Sequence, residues 1–287
     1  MKKFEILEKI NLAPDICYFE VYAPLVAKSS KPGQFLIVRV DEKGERIPLT
    51  LMDYDANKGS VSIVVQGIGL STKKINLLEK GDTFLDFAGP LGRPSELLEI
   101  SENELKTKKI LFIAGGIGAA PIYPQVKYLY NKGILADIIL GAKSSNFIIL
   151  KDKLNKISNN LYITTDDGSE GKKGFVTDML KELIEVENKT YDIIITIGPM
   201  IMMRNVAEYT KIKGIKTIAS LNTIMIDGTG MCGGCRVTVG GKTKFTCVDG
   251  PEFDAHLIDF AEALKRLSSY KTIEGEKLHK CKIGLDQ

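Results

Sequence analysis

The chain has 287 residues, 44% hydrophobic and 26% charged, and its 39 Lys and Arg against 36 Asp and Glu give a formal net charge of only +3. This composition excludes a mainly disordered or coiled-coil chain, and the length predicts about two domains of roughly 150 residues. A charge so balanced argues against a nucleic-acid-binding protein, which needs a clustered basic face. The first residues lack a long apolar segment and the longest apolar runs are strand-sized, so we expect a soluble cytoplasmic protein.

Residues 1–100 alternate short hydrophobic runs with turn residues such as Pro32-Gly33 and Lys58-Gly59. This pattern predicts an all-β domain built as a small barrel or sandwich. The predicted strands lie at 17–22, 35–40, 61–65 and 83–87.

The pattern changes near residue 105, where Ile110–Ala114 forms a continuous apolar run of the kind found in buried parallel strands. Further strands are predicted at 136–140, 161–164, 193–196 and 217–220, and helices at 124–131, 175–187 and 200–213. This alternation predicts an α/β domain with a doubly wound parallel sheet.

The C-terminal quarter begins with a Gly- and Cys-rich stretch that has no helical period, followed by a predicted helix at 254–269 and a polar tail at 270–287. Three of the five cysteines lie within residues 232–247, and such an odd, clustered set argues for metal or redox chemistry over a disulfide framework. The predicted organisation is therefore a β-barrel at 1–100, an α/β domain at 105–220, a metal-held module at 221–252, and a helix with tail at 253–287.

The spacing of Asp227, Cys232, Cys235 and Cys247 is D-x4-C-x2-C-x11-C. Plant-type ferredoxins bind a [2Fe–2S] cluster with C-x4-C-x2-C…C, so the same spacing occurs here with Asp in the first position. A zinc site with three thiolates and a carboxylate is an alternative, and free buried cysteines are another. Cys17 and Cys281 are expected to be packing or surface residues, and His256 to lie on a helix surface or cap.

Two glycine-rich turns of the α/β region follow predicted strands and open helices. Gly115 to Pro121 reads Gly-Gly-Ile-Gly-Ala-Ala-Pro, a reduced form of the Rossmann turn, and Gly198-Pro199-Met200 follows a second strand. Such turns at the carboxyl ends of parallel strands predict a crevice for a dinucleotide, although either turn alone could be a plain connection.

The β region contains two weaker signals. Residues 46–50, Arg-Ile-Pro-Leu-Thr, end a loop and open a strand, and residues 66–73 form a glycine-rich turn that opens a short helix. A helix start of this kind offers backbone N–H groups to a phosphate, but an ordinary capped helix has the same pattern.

The chain resembles the ferredoxin–NADP reductase superfamily over residues 1 to about 260. The resemblance rests on the order of its parts, which are a barrel, a nucleotide domain with these two turns, and a C-terminal cluster motif. Within this superfamily, the chain resembles electron-transfer subunits that pair a flavin with a [2Fe–2S] cluster. One type serves dihydroorotate dehydrogenase. The other is the small subunit of NADH-dependent reduced ferredoxin:NADP oxidoreductase, also described as a sulfide dehydrogenase subunit. Asp227 and the segment Glu45–Thr50 favour the second type.

The resemblance implies where the cofactors bind. In the superfamily's flavin motif R-x-Y-[ST], Ile47 stands here at the Arg position and Leu49 at the aromatic one, so Arg46 is a candidate substitute. The FAD contacts implied are Arg46, Pro48, Leu49, Thr50, Val64, Val65, Gln66, Gly69, Ser71 and Thr72. The NAD contacts implied are Gly115, Gly116, Gly118, Ala119, Ala120, Pro121, Asp166, Asp167, Gly198, Pro199 and Met203. The cluster ligands implied are Asp227, Cys232, Cys235 and Cys247.

The implied function is transfer of electrons between NAD(H), FAD and the cluster, to or from a larger flavin and iron–sulfur subunit in a heterodimer, with ferredoxin served through that partner. Asp166 and Asp167 favour NAD over NADP, since a ribose hydroxyl prefers a carboxylate, whereas Lys143 and Lys172-Lys173 argue the other way. The electron-transfer subunit of dihydroorotate dehydrogenase is the alternative of the same chemistry. A non-enzymatic, zinc-stabilised nucleotide-binding module or redox sensor is the alternative of another class.

Overall fold

The N-terminal strands form an antiparallel barrel. The computed structural model describes residues 2–269, so the predicted tail and Cys281 lie outside the described residues. Six strands pair in the order β1-β2-β5-β4-β3-β6, and a bridge between Glu5 and Thr83 brings the two edges together. The strands are β1 (Ile6–Ala13), β2 (Ile16–Tyr22), β3 (Phe35–Arg39), β4 (Ile47–Asp55), β5 (Ser60–Gln66) and β6 (Asp86–Leu91).

Two features of the barrel differ from the predicted pattern. Strand β1 was not predicted, and the strand expected at 83–87 lies at Asp86–Leu91. Residues before β6 instead close the barrel against its N-terminal end, because the N–H of Phe84 donates to the carbonyl of Phe4 at 3.1 Å and the N–H of Ile6 donates to the carbonyl of Asp82 at 2.8 Å. Two short helices, α1 (Pro24–Ser29) and α2 (Leu70–Asn76), complete this part.

The second sheet has seven strands in the order β10-β9-β8-β7-β11-β12-β15, and β15 alone runs antiparallel to its neighbour. Its strands are β7 (Ile110–Gly115), β8 (Asp137–Ala142), β9 (Leu161–Thr165), β10 (Lys172–Lys173), β11 (Ile193–Ile197), β12 (Lys216–Ser220) and β15 (Glu252–Asp254). Strands β8 and β9 extend from β7 in one direction and β11 and β12 in the other. The chain therefore reverses its winding between β7 and β11, where open α/β sheets bind ligands.

Helices cover both faces of this sheet. They are α3 (Glu102–Leu105), α4 (Ala119–Asn131), α5 (Lys151–Asn155), α6 (Val176–Lys181), extended by a π-helical turn at Glu182–Val186, and α7 (Met200–Lys213). Phe112 packs with α4 and the barrel residues Tyr18 and Met52, whereas Leu111 packs with α6 and α7. Because alternate residues of β7 face two apolar layers, the whole strand is apolar. Helix α4 begins five residues before the predicted start, since the glycine turn leads directly into it.

The C-terminal residues form a hairpin and two helices. The hairpin pairs β13 (Arg236–Val239) with β14 (Lys242–Phe245), and both of its turn residues, Gly240 and Gly241, have positive φ, as a type I′ turn requires. Helices α8 (Thr246–Asp249) and α9 (Phe260–Ser268) follow.

The helix predicted over 254–269 is wrong in its first part. Residues Glu252–Asp254 instead form β15, which pairs with the edge strand β12, and α9 begins at Phe260, where the Asp259 carboxylate caps the N–H of Glu262 at 2.9 Å. Among residues 2–269, no helix is long and apolar enough to cross a membrane.

Candidate cofactor sites

The two glycine turns of the α/β domain meet at the winding reversal. Gly115 ends β7, and a Cβ at Gly118 would lie 2.2 Å from the carbonyl oxygen of Ile197, the last residue of β11. A Cβ at Gly198 would likewise lie 3.0 Å from the N of Gly115. The backbone at Gly118 therefore leaves no space for a side chain, the contact at Gly198 is tight, and the two turns lie together at the ends of neighbouring strands.

The start of α4 faces the predicted crevice. The side chains of Ala119, Ala120 and Pro121 are buried, so they serve packing, and this helix start can offer a phosphate only its backbone N–H groups. Gly116 has a φ of +55°, and no atom lies within 4 Å of where its Cβ would be. The turn therefore has open space beside Gly116.

The methionines at the start of α7 divide between crevice and core. Met203 is fully buried in an apolar cluster with Ala219 of β12 and Val237 of β13. Its neighbour Met202 is half-buried, and its Sδ would lie 2.5 Å from a Cβ at Gly115. Met202, which the motif did not indicate, is thus the methionine beside the glycine turns.

The loop after β9 carries the two predicted ribose carboxylates, and both are exposed. Asp167 is held within the loop, since its Oδ1 accepts hydrogen bonds from Oγ and N of Ser169 at 2.6 and 2.9 Å, and these bonds lower the pKa of its carboxyl. Ser169 Oγ in turn accepts from the N of Ser145 at 2.7 Å. Asp166 has no such side-chain bond among the described residues, so it is the more available of the two.

The glycine-rich turn of the barrel opens α2 as predicted. The N of Gly69 donates to Thr72 Oγ1 at 3.0 Å, and no atom lies within 4 Å of where a Cβ of Gly69 would be. Ser71 Oγ donates to Glu45 Oε2 at 2.5 Å, which ties the helix start to the loop before β4. The helix start is therefore held by the contact of Ser71 with Glu45, whereas open space adjoins Gly69.

The remaining predicted FAD residues lie on the adjacent strands β4 and β5. Pro48, Leu49 and Thr50 are partly exposed on β4, and Gln66 ends β5. The side chains of Val64 and Val65 are buried in two different apolar cores, so a flavin could meet them mainly through their backbone.

Arg46 does not point to the glycine turn. Its Nε donates to the carbonyl of Ile226 at 2.9 Å and its Nη2 to that of Asp227 at 3.2 Å. A side chain of the predicted flavin motif thus binds the predicted cluster loop, 180 residues away in the chain.

The predicted cluster ligands divide into a buried and an exposed pair. Cys235 and Cys247 are almost fully buried with their Sγ atoms 3.2 Å apart, and the N of Cys247 lies 3.4 Å from Sγ of Cys235. Cys232 is exposed and Asp227 half-buried. The Asp227 carboxylate accepts hydrogen bonds from N of Thr229 at 2.9 Å and N of Cys232 at 2.7 Å, which lower its pKa.

No three His, Cys, Asp or Glu side chains within residues 2–269 converge as ligands of a single metal ion. The local chemistry nevertheless fits an iron–sulfur cluster. Gly228, Gly230 and Gly233 have positive φ, so the loop can fold tightly around sulfur. The N of Gly234 lies 3.4 Å from Sγ of Cys232, a backbone N–H donor to sulfur. Burial raises the pKa of the Cys247 thiol to about 12, so metal binding must displace its proton.

The loop is packed against the barrel and fixed by α9. Cys235 and Cys247 share an apolar cluster with Phe35 and Ile37 of β3, the strand beside β4. On the other side, Arg266 Nη2 donates to the carbonyl of Gly234 at 3.0 Å. No sequence motif indicated Arg266, because its partner lies 32 residues away and is a backbone group.

Comparison with known proteins identifies two matching families. Residues 222–259 match the iron–sulfur cluster binding domain of dihydroorotate dehydrogenase B, and residues 112–208 match the oxidoreductase NAD-binding domain. An electron transfer subunit homologue of dihydroorotate dehydrogenase B (NAD(+)) from Thermotoga maritima is 43% identical over 96% of this chain and 93% of its own length. An uncharacterized protein of the adh 3′ region of Clostridium beijerinckii is 54% identical over 95% and 92%.

A solved structure extends the likeness to the whole fold. A chain of the NADH-dependent reduced ferredoxin–NADP oxidoreductase, solved for insight into flavin-based electron bifurcation, is 41% identical with a TM-score of 0.89, covering 98% of this chain and 99% of that one. Phthalate dioxygenase reductase, 17% identical with a TM-score of 0.58 over 82% and 85%, shares the fold alone.

These matches confirm the predicted class of fold, a flavin-type barrel followed by a nucleotide domain and a cluster module. They also confirm an oxidoreductase with FAD, an iron–sulfur cluster and NAD(H) as cofactors. The residues that contact each cofactor stay predictions. The chain belongs to the family of the dihydroorotate dehydrogenase B electron-transfer subunits and their homologues.

Proposed function

We propose that this chain is the small subunit of a heterodimer and passes electrons between NAD(H), FAD and a [2Fe–2S] cluster, to or from a larger flavin and iron–sulfur subunit. The observation that carries the proposal is the packing of the cluster loop on the flavin side of the barrel. Cys235 and Cys247 contact the apolar cluster of Phe35 and Ile37, and β3 pairs directly with β4, which carries the flavin motif. The two predicted redox sites are therefore neighbours.

FAD, when bound, supplies the conversion between a two-electron hydride and single electrons. The chain's own residues supply position. The close contact of Gly118 with Ile197 keeps the dinucleotide crevice narrow, and the open side of Gly116 leaves space for a pyrophosphate. The two buried cysteines keep one half of the cluster loop away from water, whereas the exposed Cys232 and Met231 place the other half at the surface. A partner subunit could therefore reach the cluster from outside.

The charges of the nucleotide loop support NAD as the carrier. Asp166 is exposed with no intramolecular side-chain bond among the described residues, whereas Lys172 forms an ion pair with Glu182. One of the lysines that favoured a 2′-phosphate is thus neutralised, and a free carboxylate remains for a ribose hydroxyl.

The choice of partner depends on Asp227. The likeness to the ferredoxin–NADP oxidoreductase chain spans nearly the whole of both chains, and Asp227 occupies the first ligand position in the motif. These observations support a large flavin and iron–sulfur partner, with ferredoxin reached through it. They weigh against the dihydroorotate-oxidising partner, for which four cysteine ligands are expected.

The first experiment is anaerobic purification of the full chain, followed by its visible spectrum and by analysis of flavin, iron, acid-labile sulfide and zinc. We expect about one FAD, two iron and two sulfide per chain, and reduction of an artificial acceptor faster with NADH than with NADPH. Colourless protein with stoichiometric zinc would refute the proposal in favour of a zinc-stabilised module.

The second experiment identifies the partner. The tagged chain, expressed in its native host, should co-purify with a large flavin and iron–sulfur subunit. Recovery of a dihydroorotate-oxidising subunit instead would support the alternative function.

A further inference from the structure

Two arginines from outside the cluster loop bind its carbonyl groups, in addition to Arg236, which lies next to Cys235 in the chain and donates to the carbonyl of Gly233 at 3.2 Å. Arg46, on the barrel loop before β4, donates to the carbonyls of Ile226 and Asp227 at 2.9 and 3.2 Å. Arg266, on α9, donates to the carbonyl of Gly234 at 3.0 Å. One contact lies directly before the first predicted ligand and the other directly before Cys235.

A planar trans peptide points its N–H away from its carbonyl. The carbonyls bound by the arginines belong to the peptide units that supply the N–H groups of Asp227, Gly228 and Cys235. These N–H groups are consequently turned away from the guanidinium groups, and the hydrogen bonds of residues 2–269 include none that they donate. The arginines thus fix the peptide orientation at both ends of the ligand segment.

The two guanidinium groups also bring positive charge. Within residues 2–269, neither Arg46 nor Arg266 has an Asp or Glu oxygen within 4.0 Å, whereas Arg39 pairs with Asp86 and Arg204 with Glu208. Both side chains are only partly exposed. A positive charge close to a redox centre stabilises its reduced, more negative form, and low exposure limits screening by solvent.

We propose that Arg46 and Arg266 are positioning residues of the cluster, which orient the ligand loop by its carbonyls and raise the reduction potential of the cluster through their charge. This inference rests on the proposed function, because it requires the cluster. It assigns Arg46 to the cluster and not to the predicted FAD site, and it gives α9 a role in electron transfer.

The test uses the full chain with cofactors, purified anaerobically, in the variants R46Q, R46K, R266Q and R266K. R204Q is the matched control, because it removes the same charge from the surface of α7. Three quantities are measured: FAD and iron content, the rate at which a chelator removes iron, and the midpoint potential of the cluster by spectroscopic titration.

We expect R46Q and R266Q to lower the potential, by the amount that corresponds to an about two- to twentyfold smaller equilibrium constant for reduction. That range is the effect of one unit charge at about 10 Å with an effective dielectric constant of about 80 to 20. The lysine variants should have a midpoint potential close to that of the wild type, because they keep the positive charge. They should lose iron to the chelator faster, because they lack the planar guanidinium group that binds the carbonyls. R204Q should match the wild type in all three quantities.

Failure of R46Q or R266Q to load iron, while R204Q loads fully, would also support the positioning role. Normal loading with unchanged iron release and unchanged potential in both Gln variants would overturn it. Loss of FAD from R46Q with an unaffected cluster would return Arg46 to the flavin site. Wild-type protein without iron and sulfide would contradict the proposed function itself, so the two failures are distinguishable.

Discussion

Glu252, the first residue of β15, has a carboxyl group that the fold buries against the barrel-to-sheet connection and α4. Its Oε2 lies 2.9 Å from Ser95 Oγ, its Oε1 accepts from Gln125 Nε2 at 2.8 Å, and Ser95 Oγ lies 3.1 Å from Gln125 Oε1. The Ser95 hydroxyl has one proton and cannot donate to both oxygens. All three contacts are satisfied when Glu252 is protonated and donates to Ser95, which then donates to Gln125.

Burial raises the pKa of Glu252 to about 7 from its ordinary 4.5. Between these values the folded protein holds a proton that the unfolded chain has released, so stability falls as the pH rises from about 4.5 to 7. A difference of about 2.5 pH units at about 1.4 kcal/mol each gives a loss of up to about 3.5 kcal/mol, of which about 3 kcal/mol falls between pH 5 and pH 7. Below pH 4.5 both states are protonated and the loss vanishes.

Glu252→Gln should remove this pH dependence. The amide can donate to Ser95 and accept from Gln125, but it leaves the N–H of Glu96, now 3.2 Å from Oε2, without an acceptor. That costs about 1 to 2 kcal/mol at every pH. The free energy of unfolding of the variant minus that of the wild type should therefore be slightly negative at pH 5. It should then rise by up to about 3 kcal/mol by pH 8.

The assay is urea unfolding followed by far-UV circular dichroism at pH 5, 6, 7 and 8, with thermal melts in parallel. A rise of 3 kcal/mol corresponds to about 5 °C in Tm for a chain of this length, at about 2 cal/mol/K per residue. Glu208→Gln, an exposed carboxylate on α7, serves as the control and should show no such trend. A difference between E252Q and wild type that stays constant from pH 5 to 8 would show that Glu252 titrates normally, and would refute this reasoning.

Three further predictions concern the cofactor sites. Serine in place of Cys247 should abolish the absorbance of the cluster and leave FAD bound, so retained iron and sulfide would count against Cys247 as a ligand. Asp227→Cys should keep the cluster but shift its potential, since thiolate is a softer and more covalent donor than carboxylate, and an unchanged redox titration would remove Asp227 from the ligand set. Gly118→Ala places a Cβ 2.2 Å from the carbonyl oxygen of Ile197, so the KM for NADH should rise while FAD content stays the same, and an unchanged KM would show that the turn does not contact NADH.

Short-range signals in the sequence predicted much of the structure. The dipeptide Gly240-Gly241 is typical of a hairpin turn, because a type I′ turn needs positive φ at both positions, and both residues have it. The glycine turn at 115–118 predicted a helix start at the carboxyl end of a parallel strand, and the structure has one there, with Gly118 against Ile197 of the neighbouring strand. In both cases the constraint acts within a few residues or through a recurrent turn, so one sequence suffices to recognise it.

Contacts between distant segments could not be predicted in the same way. Arg46 and Ile226 are 180 residues apart, and the acceptor is a carbonyl group that every residue has. The contacts of Glu252 could not be predicted for the same reason, since its partners Ser95 and Gln125 lie 157 and 127 residues away. Strand β15 was not predicted, because three residues are too few to show an alternating pattern. Its pairing with the edge strand β12 also depends on a sheet formed by distant segments of the chain.

The predicted cluster residues differ in exposure, and this difference indicates which end of the proposed electron path is buried and which is at the surface. Cys235 and Cys247 are buried on the side that packs against Phe35 of β3, next to the strand with the flavin motif. Cys232 is exposed, and so is its chain neighbour Met231, of which 86% is exposed. Transfer between FAD and the cluster would thus cross packed protein, which fixes the distance, whereas transfer to the partner would cross a surface that forms only on docking. We therefore expect reduction of the cluster by NADH to proceed in the isolated chain, and its onward oxidation to depend on the partner.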